Sequence, residues 1–141
     1  MKKQISVLLI TLLLICTVAN SSVYASDSYP IEPYYVGTSQ ITLSLDLNST
    51  SLGADLAECF AIVMLYDGYS ADVTLNLQRS SDKTNWKTIK SWEGSGEEEI
   101  RIDEEYFVVN GYYYRVGVLV YVYYENGNLA EIITKYSPIQ P

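Results

Sequence analysis

The chain has no histidine among its 141 residues. That removes the commonest general base near neutral pH, the nucleophile pairings that depend on imidazole, and the commonest zinc ligand. Cysteine is almost as scarce, with two in all, Cys16 and Cys59. Cys16 lies in an apolar N-terminal run that reads as a leader, so only Cys59 remains after processing. One thiol can build neither an intrachain disulfide nor a cysteine-rich metal site. Positive charge is also in short supply, with 9 Lys and Arg against 17 Asp and Glu and a net charge of −8. Losing Lys2 and Lys3 with the leader takes the balance from −8 to −10. A surface this acidic repels phosphate backbones and anionic membranes, which argues against a nucleic-acid partner. There is no glycine-rich phosphate loop, no internal repeat and no segment with a helical apolar stripe.

The apolar residues begin at the N-terminus. Lys2 and Lys3 precede the run from Ile5 to Val18, about 14 residues and short of the roughly 20 that span a bilayer as a helix. Asn20, Ser21 and Ser22 then lead to Val23-Tyr24-Ala25, a small-residue processing pattern. The expectation is a secretory signal over residues 1–25, cleaved after Ala25, with export and no membrane insertion thereafter. Lipidation at Cys16 is disfavoured because Ile15, not a small residue, stands before it. Removing 25 residues from 141 leaves 116, enough for one domain. Tyr29-Pro30-Ile31-Glu32-Pro33 opposes helix at its prolines, so residues 26–36 are expected as an extended arm before a domain over residues 37–141.

In that domain the apolar residues alternate. Ile41, Leu43, Leu45 and Leu47 interleave with Thr42, Ser44 and Asp46, and Val73, Leu75 and Leu77 interleave with Thr74, Asn76 and Gln78. Period two argues half-buried strands. Further strands are expected over Leu56–Tyr66, Trp86–Trp92, a short acidic piece at Ile100 and Ile102, Tyr112–Tyr124 and Leu129–Tyr136. Glu93-Gly94-Ser95-Gly96 reads as a loop, and Asn126-Gly127 as the turn of a hairpin. About seven strands with turn chemistry between them indicate one antiparallel β-sandwich of the immunoglobulin or fibronectin type III kind, a closed barrel being the alternative.

Three ordered motifs carry a family likeness: Leu77-Gln78-Arg79-Ser80-Ser81-Asp82, then Trp86-Lys87-Thr88-Ile89-Lys90-Ser91-Trp92, then Gly111-Tyr112-Tyr113-Tyr114-Arg115-Val116. Together they resemble a family of small exported proteins of Gram-positive, clostridial-type bacteria, known only as a domain of unknown function. The likeness runs from about Ile31 to Ser137. It implies a signal peptide, one domain and no assigned activity, so it brings no functional residues. In that family the second strand carries mostly polar residues where this chain has Phe60, Ile62 and Met64. The Tyr-Tyr-Arg-Val strand is also similar to late strands of fibronectin type III and immunoglobulin-like domains.

What remains is surface. Cys59, between Ala57 and Ala61, reads as a small core residue. Glu93, Glu97, Glu98, Glu99, Asp103, Glu104 and Glu105 read as charged strand edges that discourage pairing with other chains. A calcium site is the functional alternative, but the Asp-x-Asp-x-Asp-Gly spacing is absent. No metal ligand or cofactor is therefore assigned. Paired-carboxylate hydrolysis needs a cleft that so small a domain has little volume for, and a non-catalytic protein is expected. Tyrosine is abundant: of 14, all but Tyr24 lie beyond the leader. Alternation assigns Tyr112, Tyr114, Val116, Val118, Val120 and Val122 to the core. Tyr113, Arg115, Leu119, Tyr121 and Tyr123 then point outward, as do Phe60, Ile62 and Met64 on an earlier strand. Those eight residues form the candidate interaction face, suited to a protein partner or a second copy, since tyrosine and arginine are favoured at binding hot spots. A glycan stacked on tyrosine or tryptophan is the alternative ligand. A structural exported protein with no specific ligand, its tyrosines serving as cross-strand ladders, is the other alternative.

Overall fold

The structure is a computed structural model that describes residues 34–51 and 53–141. The expected leader and residues 26–33 of the expected arm lie outside the described residues. Seven strands follow one another: β1 (Thr38–Ser49), β2 (Ala54–Leu65), β3 (Tyr69–Ser80), β4 (Lys87–Glu97), β5 (Glu99–Val109), β6 (Tyr113–Tyr124) and β7 (Leu129–Tyr136). They pair as two antiparallel sheets, in the order β1-β2-β5 and β4-β3-β6-β7. With no helix among the described residues, the two sheets cover each other. The chain is an all-β sandwich.

Alternation sets the core as period two requires. Ala57, Cys59, Ala61 and Val63 of β2 and Val116, Val118, Val120 and Val122 of β6 are at most 1% exposed. They join Ile41 and Leu45 of β1, Leu75 and Leu77 of β3, and Ile100 and Ile102 of β5 in one cluster. Small and branched side chains dominate because both central strands are covered along their whole length.

Two of the three crossings between the sheets have their own device. Where β5 crosses to β6, the buried Tyr114 donates its hydroxyl to the carbonyl of Val109 at 2.6 Å. A tyrosine near the start of such a strand, bonding a few residues upstream, is the arrangement called a tyrosine corner. Where β4 crosses to β5 the connection is Glu98 alone, with φ at 62°, and its carbonyl accepts the Leu65 N–H at 2.7 Å. On the opposite side, two charged residues of β7 hold β1 in place. Glu131 accepts the backbone N–H groups of Val36 and Gly37 and the Thr38 hydroxyl, and Lys135 donates to the Ile41 carbonyl at 3.0 Å. Inward-pointing charge of this kind also blocks an edge strand from recruiting another chain.

Two sequence expectations change. Residues 93–96 are not a loop but the second half of β4, paired with β3 from Thr74↔Glu93 to Ala71↔Gly96. Glycine is needed there because a Cβ on Gly94 would stand 3.0 Å from the Ile100 side chain of β5. The acidic piece at Ile100 is likewise part of one 11-residue strand that continues through Val108. Of the arm, residues 34–36 are in no strand, and Val36 is fastened to Glu131. The expected hairpin at Asn126-Gly127 is present, with Gly127 at φ 79° and the Tyr124 N–H bonded to the Asn128 carbonyl.

Candidate functional site

The eight outward residues do not share one face. Phe60, Ile62 and Met64 sit on β2, in the middle of the three-stranded sheet, opposite Asp103, Arg101 and Glu99 of β5. Tyr113, Arg115, Leu119, Tyr121 and Tyr123 sit on β6, in the four-stranded sheet. The core separates the two groups, so the single face expected from sequence is two faces pointing in opposite directions. No helix or third layer covers either among the described residues.

The β2 group is partly closed over by its neighbour. The Arg101 guanidinium lies 4.7 Å from the centre of the Phe60 ring and is fixed by Asp103 at 2.8 Å. A cation over a ring of this kind shields the aromatic face from solvent and from a partner. Of the three residues only Met64 is classed as exposed, and Phe60 and Ile62 are half-buried.

The β6 group is larger than the sequence reading allowed. Antiparallel pairing places Ile132 beside Tyr121, Thr134 beside Leu119 and Tyr136 beside Gly117. Ile132 is 55% exposed and Tyr136 48%, so β7 doubles the width of the apolar strip. At one end the strip closes in a ladder. The Arg115 guanidinium lies 4.2 Å from the centre of Trp86 and 4.0 Å from that of Tyr136, while its Nε donates to Gln78 Oε1 at 2.9 Å. Gly117 makes room for the Tyr136 ring, because a Cβ there would fall 2.7 Å from a ring carbon. Trp86, Ile132 and Tyr136 were missed by sequence reasoning. The alternation Ile132, Thr134, Tyr136 was available, but the register that sets it against β6 was not.

Towards the other end a trough runs alongside the strip. Tyr121 and Tyr123 form one wall, Asp72 and Thr74 of β3 the floor, and Glu93 and Ser95 of β4 the far wall, enclosing about 580 Å³. It exists because β3 presents short polar side chains between the tyrosines of β6 and the glutamate of β4. Loss of water and then the Asp72 carboxylate push the Tyr123 hydroxyl above its usual range, so it stays a neutral donor at physiological pH.

The remaining chemistry-bearing residues are disposed otherwise. Cys59 is fully buried, and burial followed by the nearby Glu104 carboxylate pushes its thiol up to about 12. At neutral pH it offers no thiolate nucleophile. The acidic stretch is spread along β4 and β5, which are edge strands of different sheets. Among the described residues no three carboxylate or thiol groups converge as a metal shell. Asp82 is spent on its own loop, where its carboxylate accepts the N–H groups of Thr84 and Asn85 and the Asn85 amide. Those bonds hold its carboxyl well below the usual range. No family model matches the chain, and no curated protein matches it.

Proposed function

We propose that this chain is an exported, non-catalytic binding module of the immunoglobulin-like type, and that it engages a protein partner through the outer face of its four-stranded sheet. One observation carries the reading: the continuous strip of Tyr123, Tyr121, Leu119, Ile132 and Tyr136 on β6 and β7, ending in the Trp86–Arg115 stack. Large apolar patches on small monomers mark partner sites, and tyrosine, tryptophan and arginine supply most binding energy where they occur. Here the arginine is already oriented by two rings, so little side-chain entropy is lost when a partner arrives. The 3 + 4 strand order and the Tyr114 corner support the immunoglobulin-like assignment. Export rests on the leader and the resemblance noted above.

The test is affinity capture from culture supernatant and cell-wall fractions, comparing the native chain with Tyr121→Ser/Ile132→Ser and with Met64→Ser on the opposite sheet. A protein retained by the native chain and by the Met64 variant, and lost with the paired variant, is the expected result. Capture that survives the paired variant would overturn the reading.

A glycan ligand is the second reading, and the trough favours it. Tyr121 and Tyr123 offer ring faces, while Asp72, Thr74, Glu93 and Ser95 offer hydroxyl-matched acceptors and donors. Binding on a glycan array that disappears with Asp72→Ala would select this ligand over a protein.

A further inference from the structure

The four-stranded sheet is electrically polarised along its strands, and the polarity lies at its ends, the basic one adjoining the Trp86–Arg115 stack that closes the strip. All strands of this sheet run between the same two ends. At one end, where β3 finishes and β4 and β6 begin, stand Arg79, Lys83, Lys87, Lys90 and Arg115. At the other end, where the β2–β3 and β6–β7 turns and the β4–β5 corner meet, stand Asp67, Glu97, Glu98 and Glu125 around a cleft of about 370 Å³. No lysine or arginine lines that cleft. Among the described residues the one ion pair is Arg101–Asp103, on the other sheet. The carboxylate within the basic pole, Asp82, is taken up by its own loop, and Arg79, Lys83, Lys87 and Lys90 outnumber it.

The two poles also differ in form. The basic pole projects. Its loop, residues 81–86, is stiffened by the four hydrogen bonds that the Asp82 carboxylate accepts and by the Trp86 indole donating to the Lys83 carbonyl at 3.1 Å. Its cations are set in place by rings: Arg79 over Tyr112, Lys83 over Tyr113, and Arg115 between Trp86 and Tyr136, all within 4.3 Å. The acidic pole is concave and aromatic. Tyr66 and Tyr69 line it, and Tyr69 packs against Tyr124 with ring centres 5.4 Å apart. Carboxylates around tyrosine faces suit an ammonium or guanidinium group, which both attract.

We propose that the chain assembles head to tail, with the basic Lys83–Trp86 loop of one copy seated in the acidic tyrosine cleft of the next. Charge complementarity selects a second copy as occupant, since the chain carries both halves of the match. The net charge of −10 on the exported form does not oppose this. At physiological salt charges more than about 8 Å apart are largely screened, whereas the pairs formed at the contact are not. A contact between unlike ends is heterologous, so it leaves a free pole at each end and grows into an open array instead of closing as a dimer.

Sedimentation velocity on the purified protein tests this. In about 150 mM salt the native chain should show species larger than a monomer whose share rises with concentration, and in about 1 M salt a monomer alone. Lys83→Glu/Lys87→Glu and Glu97→Lys/Glu98→Lys should each weaken association roughly tenfold or more. An equimolar mixture of the two should recover it, which a misfolded variant could not do. A native chain that stays monomeric at millimolar concentration in about 150 mM salt would overturn the proposal. So would association that neither charge reversal changes, or a mixture that fails to associate.

Discussion

At the scale of single residues, Tyr114 and Cys59 do most to make the core intolerant of alkali. Both are nearly or fully buried, and both keep their protons more firmly in the folded chain, in each case chiefly because burial penalises the charged form. The unfolded chain sheds its thiol proton near the ordinary 9.0, whereas folded Cys59 holds it to about 12. The contribution to stability is therefore complete below about pH 9 and declines as pH rises towards 12, with Tyr114 adding to the decline above about pH 10. Urea unfolding at a series of pH values should show a plateau and then this fall, with Cys59→Ala flattening its lower part. Tyr114→Phe should lower stability at pH 7 by about 1–2 kcal/mol, because it leaves the Val109 carbonyl without its buried donor. If Tyr114→Phe matches the native chain in urea, the corner is not holding the β5–β6 crossing.

At the scale of elements, the crossing from β4 to β5 is a close fit. Gly94→Val would push a branched side chain into Ile100 and Ile102 and force the two edge strands apart. The expected cost is about 1–3 kcal/mol, read as a lower midpoint in urea with an unchanged slope. This same crossing shows where a sequence stops speaking. β7 was legible to the residue, and β6 to within one, because their alternation is uninterrupted and Asn126-Gly127 marks the hairpin between them. Gly94 and Gly96 looked like a loop because glycine is locally a strand breaker. The reason for Gly94 is the approach of β5, a contact with no local signature. The candidate site divides the same way. Periodicity correctly turned Phe60 and Tyr121 away from the core, since inside and outside alternate along any strand. It could not tell that β2 and β6 belong to different sheets, so it merged two faces into one. Nor could it place Tyr136 over Gly117, which depends on the register between β6 and β7.

At the scale of the whole molecule, the strip and the basic pole meet at Trp86 and Arg115 and otherwise occupy different surfaces. If both proposals hold, an array built through the poles would present the β6–β7 face at regular intervals, and a ligand with repeated sites would be held by several modest contacts at once.

The Glu131 and Lys135 contacts have a mechanical consequence. β1 starts at the acidic end of the sandwich and β7 finishes at the basic end, so the described chain enters and leaves at opposite extremes. Tension applied between those two points would drag β1 along β2 and β7 along β6, loading each ladder of perpendicular hydrogen bonds in parallel rather than one rung at a time. The Val36–Glu131 and Lys135–Ile41 links cross between the two loaded strands and would have to part before either could slide. The sandwich is thus wired to resist stretching along its long axis, which is the direction in which a chain of such units would be pulled.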